Sequence, residues 1–108
     1  MKNLTRKEEI ILLSILNLDQ DAYLIAITDY LTKITGKNVS LTSVHLPLSR
    51  LEKYGLIDSN YGEATAVRGG RRKKIYFLTR LGHETLEEHK RISDALWADY
   101  LKFTTPDE

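Results

Sequence analysis

Two short stretches rich in β-formers, "LIDSNYG" and "KKIYFLT", flank a link, "GEATAVRGGR", that is longer than a tight turn. They predict a β-hairpin with an extended loop. Arg68 and Arg71, Arg72, Lys73 and Lys74 put five positive charges into seven residues at its end. Gly69 and Gly70 let the backbone turn closely at the tip. The whole chain has a net charge of only +1, so this is local charge with a local purpose. Alternation along the second strand sends Lys74 and Tyr76 to one face and Ile75 and Phe77 to the other.

The rest of the chain sets the frame for that hairpin. At 108 residues it is one domain with a modest core. With no cysteine, disulfides and thiolate metal sites are excluded, and a cytoplasmic location is expected. The longest apolar run, "IILLSIL", is far short of the roughly 20 residues that span a bilayer. The opening "MKNLTRKEE" turns acidic at once, which argues against a signal peptide. Residues 1–82 carry net +5 and residues 83–108 net −4. A basic body with an acidic C-terminal helix implies two faces with different partners, the first facing a polyanion.

Helical periodicity precedes and follows the hairpin. Thr5 and Glu8 stand at capping-box spacing, so a first helix starts near Thr5. Ile10, Leu13 and Leu16 share its face, but Ile11, Leu12 and Ile15 fill others, so it is buried on several sides, in part by a second chain. Asp19 and Asp21 are turn and N-cap candidates. Tyr23, Ile27, Leu31 and Ile34 then mark a second amphipathic helix closed by Gly36. A third starts at a Thr42–Ser43 cap and runs to Gly55 with Val44, Leu48 and Leu51 as its core stripe. Pro47 falls in its first turn or so, where few amide donors are needed. The last helix begins at "LGHETLEEHK" and runs for about 20 residues, with Leu86, Ser93, Leu96, Trp97 and Tyr100 on a broad stripe.

The order helix, helix, helix, strand, strand, helix makes the chain mainly α with a small β part (α+β). It is the plan of a winged helix–turn–helix with a long C-terminal dimerisation helix. Residues 1–82 would bind DNA, and residues 83–108 would form the dimerisation helix and a short tail, all in one compact unit. In such a fold the third helix presents polar residues to base edges in the major groove, while the wing reaches the neighbouring backbone or minor groove. Cations on the wing neutralise phosphates and release counterions, giving affinity without sequence information.

"SVHLPLSRLEKYGLI" followed by "GEATAVRGGRRKKIYFLTRLGHETL" resembles the PadR family of bacterial transcriptional regulators. Arg50, Leu51, Glu52, Gly55, Leu56 and Ile57 match the close of that family's recognition helix. Gly69, Gly70, Arg71, Tyr76, Leu78, Thr79 and Gly82 match its wing. "EEIILLSIL" and "DAYLIAITDYL" sit where the family has its first two helices. The resemblance implies a homodimeric DNA-binding regulator, usually a repressor, whose C-terminal helix packs on the partner's N-terminal helix. The single C-terminal helix looks like the short subfamily. His45 stands where the family usually has Tyr, and Pro47 is unusual for it.

Candidate DNA-binding residues follow. On the recognition helix they are Thr42, Ser43, His45, Ser49, Arg50 and Lys53, all off the core stripe. Leu46 is as well suited to a thymine methyl as to no role, and Ser43 and Arg50 have the alternatives of an N-cap and a Glu52 partner. On the wing and flank they are Lys37, Arg68, Arg71, Arg72, Lys73 and Lys74, set against the alternative of a solvated loop. His45, His83 and His89 lack any metal-ligand spacing, and Ser, His and Asp lack any activating context, so neither metal, cofactor nor catalysis is expected. Trp97 suits an aromatic anchor in the dimer interface. The resemblance offers an effector site instead, because short PadR-like regulators hold flat aromatic drugs against a tryptophan of this helix. Here Ser93 takes the matching place and Trp97 stands one turn later, on the same face. The pocket would comprise Ser93, Leu96, Trp97 and Tyr100.

Overall fold

The computed structural model describes residues 3–62 and 73–104. Helices α1 (Arg6–Leu18), α2 (Leu24–Thr35) and α3 (Leu41–Lys53) precede strands β1 (Ile57–Tyr61) and β2 (Lys74–Leu78), and α4 (Arg80–Thr104) closes the chain. A short 3₁₀ turn, Asp19–Asp21, joins α1 to α2. This is the winged helix–turn–helix order. No helix among the described residues is long and apolar enough to cross a membrane.

The capping box forms as expected: Glu8 N donates to Thr5 Oγ1 at 3.1 Å, and Thr5 N donates to Glu8 Oε1 at 2.9 Å. Ile11, Leu12 and Ile15 of α1 are fully buried against Ile27 and Leu31 of α2 and Val44, Leu48 and Leu51 of α3. The helices therefore meet around one apolar centre, which Leu56, Ile57, Tyr76, Leu78 and Leu86 complete from the hairpin and α4. Leu13 and Leu16 are instead exposed. Gly36 and Gly55 end α2 and α3 at φ of 70° and 79°, the left-handed region where a side chain is strained.

Two helix starts and the placement of two residues differ from the expectation. Tyr23, not an aspartate, stands at the N-cap of α2 and makes no side-chain cap, while Asp19 closes α1 by donating its amide to the Ile15 carbonyl. Ile34 lies off the core and is exposed, because α2 ends one residue later. The N-cap of α3 is Ser40, whose Oγ accepts from Ser43 N at 3.1 Å, so the helix starts earlier than a Thr42–Ser43 cap allows. Pro47 consequently falls on the seventh residue, in the second turn, where it is buried and packs into the core in place of making a backbone bond.

β1 and β2 pair antiparallel, with Ile57 opposite Leu78, Ser59 opposite Tyr76 and Tyr61 opposite Lys74. As the alternation requires, Tyr76 and Leu78 are buried while Phe77 on the opposite face is exposed. Tyr76 N also donates to the carbonyl of buried Ala22 at 2.9 Å, so the α1–α2 corner holds β2 along its free edge.

α4 starts at Arg80, so a division at 82/83 falls inside its first turn. Thr79 makes that start: its Oγ1 accepts from Gly82 N at 3.1 Å and donates to the Gly55 carbonyl at 2.6 Å, and its N donates to the Leu56 carbonyl at 3.0 Å. His89 Nε2 lies 3.5 Å from Glu9 Oε1 and ties α4 to α1. Beyond Leu86 no described residue of α4 is buried, so the helix, about 37 Å long at 1.5 Å per residue, runs out from the body.

Candidate nucleic-acid interface

The buried stripe of α3 fixes which of its residues face out. With Val44, Pro47, Leu48 and Leu51 buried, Thr42, His45, Leu46, Ser49 and Lys53 fall at three- and four-residue spacing on the opposite face, and all are exposed. Arg50 is exposed at the edge of that stripe. Neither Arg50 nor Lys53 forms an ion pair among the described residues. Ser43 is half-buried and occupied, donating from its Oγ to the Ser40 carbonyl at 2.8 Å while its amide meets the Ser40 side chain. Lys37 is exposed in the link before α3, its amide donating to Thr35 Oγ1 at 3.2 Å.

Lys73 and Lys74 lie at the base of the wing; Arg68, Arg71 and Arg72 lie outside the described residues. The Lys73 ammonium sits 4.1 Å from the centroid of the Tyr23 ring. Lys74 Nζ lies 3.3 Å from Glu52 Oε1, and Ser59 Oγ donates to Glu52 Oε2 at 3.0 Å. Thus Glu52 faces the hairpin and not Arg50, since residues two apart on a helix point in different directions. Partial burial pulls the Lys74 pKa down, but the Glu52 hydrogen bond and the neighbouring Tyr76, Glu52 and Tyr61 groups more than offset it, and the ammonium ends above its ordinary value. Burial raises the Tyr76 phenol, against the opposing pull of Lys74. Both groups therefore hold their protons through the neutral range.

Residue spacing gave no hint of the Glu52–Ser59–Lys74 cluster or of the Tyr23 seat, because both depend on strand register and on where the α1–α2 corner lands. The wing's charge was legible; its anchoring was not.

A polar helix face thus stands beside an anchored hairpin whose base carries Lys73 and Lys74. The sequence profile of the transcriptional regulator PadR-like family matches residues 12–88, which covers the second half of α1, all of α2 and α3, both strands and the start of α4. The chain belongs to the PadR-like family of transcriptional regulators. No curated protein sequence matches it. Among solved structures, this PadR-like chain is similar to a transcriptional regulator from Clostridium thermocellum, with 25% identity and a TM-score of 0.69 over 92% of this chain and 90% of that one. A PadR-like transcriptional regulator from Bacillus cereus gives 25% identity and 0.69 over 93% and 92%. A PadR family transcription regulator from hypervirulent Clostridium difficile gives 25% and 0.66 over 91% and 98%. These are regulators and not enzymes.

The second candidate site lies on α4. Ser93, Leu96, Trp97 and Tyr100 line an open cavity of about 290 Å³. The Trp97 and Tyr100 rings meet edge to face, 5.5 Å apart at 86°. Leu96 and Trp97 are 65% and 59% exposed, which is large for apolar side chains on one face of a helix and leaves that face uncovered in the single chain.

Proposed function

We propose that this PadR-like regulator acts in the cytoplasm as a homodimer that binds pseudo-palindromic operator DNA and represses transcription. The observation that carries the reading is the exposed polar stripe of α3, backed by a buried apolar face and flanked by the basic hairpin. Thr42, His45 and Ser49 read base edges, with Leu46 against a thymine methyl. Lys37, Arg50, Lys53 and the wing arginines Arg68, Arg71 and Arg72 meet phosphates. Ser43 serves the helix cap first, which removes it from the readers. The uncovered face of α4 supports the dimer, joined by exposed Leu13 and Leu16 of α1. The test is selection from a pool of random duplex DNA, from which the protein should retain an inverted repeat.

A second reading, favoured by the cavity at Trp97, adds an effector. A planar aromatic molecule would stack on the indole beside Tyr100 and couple to DNA release or retention. Titration with a varied panel of planar aromatics should quench Trp97 fluorescence; emission unmoved by every member would leave Trp97 as an interface anchor.

A further inference from the structure

Two of the five wing cations are already engaged. Lys74 lies against the Glu52 carboxylate and Lys73 over the Tyr23 ring. The remaining three, Arg68, Arg71 and Arg72, precede them in the sequence and lie outside the described residues. We propose that Glu52, Ser59, Lys74 and Lys73 are positioning residues: they clamp the base of the wing to both helices of the helix–turn–helix and so set the angle at which wing and recognition helix meet DNA. The proposal rests on the DNA-binding reading above and deepens it.

The geometry supports the clamp from two sides. One carboxylate of α3 touches both strands at once, Ser59 of β1 through Oε2 and Lys74 of β2 through Oε1. Those two residues belong to one face of the hairpin, since Ser59 pairs with Tyr76 and Tyr61 with Lys74. From the other side, the α1–α2 corner grips β2 twice in succession: the Ala22 carbonyl accepts from Tyr76 N, and the neighbouring Tyr23 ring receives Lys73. Without these contacts the two-stranded sheet would be held only by its apolar inner face and by the Thr79 bonds at its open end, and an isolated hairpin is marginal in water. The side chains of Lys74 and Glu52 are 40% and 31% exposed, so the pair is partly shielded and weakly screened. To reach a phosphate, Lys74 would have to leave its carboxylate.

A clamp and a phosphate ligand respond in opposite ways to substitution. Were Lys74 a phosphate ligand restrained by Glu52, Glu52→Gln would free a cation and remove an anion, so binding to every duplex would tighten. If the cluster is a clamp, Glu52→Gln loosens the wing and the two DNA-contacting elements lose register. Discrimination then falls while general attraction is kept.

The experiment compares wild type, Glu52→Gln, Ser59→Ala, Lys74→Met and the swap Glu52→Lys/Lys74→Glu. Each is titrated on the duplex most enriched from a random pool and on its scrambled form, over a range of salt. Arg71→Ala serves as the phosphate-contact reference. Glu52→Gln, Ser59→Ala and Lys74→Met should each lower the enriched-to-scrambled affinity ratio by roughly tenfold, on the scale of one misplaced base contact. The salt slope on scrambled DNA should stay within about half a unit of wild type, whereas Arg71→Ala should reduce it by about 0.9. The swap should recover most of the ratio. Equal tightening on both duplexes by Glu52→Gln, or a slope loss for Lys74→Met matching Arg71→Ala, would overturn the clamp. Amide hydrogen exchange gives a readout free of DNA: the hairpin amides of Ile57–Tyr61 and Lys74–Leu78 should exchange about tenfold faster in Glu52→Gln, with α1 and α2 unchanged. Unaltered hairpin exchange overturns the clamp even if no duplex is bound, and wild type that binds no duplex overturns the DNA-binding reading on its own.

Discussion

Gly82→Ala should lower the melting temperature by roughly 10–20 °C, the equivalent of about 3 kcal/mol in a domain of this size. Gly82 is not needed for its φ, since the positive values among described glycines belong to Gly36 and Gly55. It is needed for space. A Cβ on Gly82 would stand 1.9 Å from the Leu56 carbonyl oxygen and 3.0 Å from the carbonyl carbon. Those are backbone atoms, and they cannot swing aside. The Leu56 oxygen accepts from Thr79 N, Leu56 itself is 1% exposed, and Thr79 also holds the Gly55 carbonyl and the Gly82 amide. Relief of the clash must therefore separate the start of α4 from the end of α3 and open that whole set of bonds. Thermal unfolding followed by circular dichroism measures it, and a drop below about 3 °C would contradict the packing described.

If the proposed homodimer forms through this face of α4, Leu96→Asp should convert it into monomers and reduce affinity for the proposed operator by roughly a hundredfold, while leaving the single chain folded. Leu96 is 65% exposed, so within the protomer a carboxylate there meets water and costs little. In a dimer that covers this face the same carboxylate is desolvated without a partner, which costs several kcal/mol at each of two symmetry-related copies. Loss of such a dimer would separate the two proposed half-site contacts, and the second would no longer benefit from the effective concentration set by the first. Sedimentation velocity gives the mass, and titration on an inverted-repeat duplex gives the affinity. A variant that remains dimeric with unchanged affinity would place the interface elsewhere than on α4.

How much of this was legible in the chain depended on the range of the interaction involved. The Thr5–Glu8 capping box, the Gly36 and Gly55 helix ends and the strand alternation at Tyr76–Phe77 rest on neighbours within a few residues, and each formed as the spacing required. Errors came where several local solutions competed. "NVSLTS" offers three hydroxyl caps, and Ser40 prevails because starting there puts Val44, Leu48 and Leu51 into the core together with Pro47. Ile34 fits the apolar spacing of α2 but stands at the helix end, past the reach of the core. At the candidate site the exposed face of α3 was legible from its core stripe. The destination of Glu52 was not, since its partners lie seven and 22 residues away and meet it only through the hairpin register. The need for glycine at 82 was equally hidden, because the obstacle is a carbonyl 26 residues earlier.

The most direct measurement of the central claim is the spacing between recognised bases in duplexes retained from a random pool. Two copies related by a two-fold axis, each placing α3 in a major groove, require two inverted arms whose centres lie about 34 Å, or roughly 10 base pairs, apart or at a multiple of that distance. An inverted repeat at that spacing, lost on scrambling either arm, is the expected result. A single unrepeated arm, a direct repeat, or salt-sensitive retention without any enriched sequence would contradict the account.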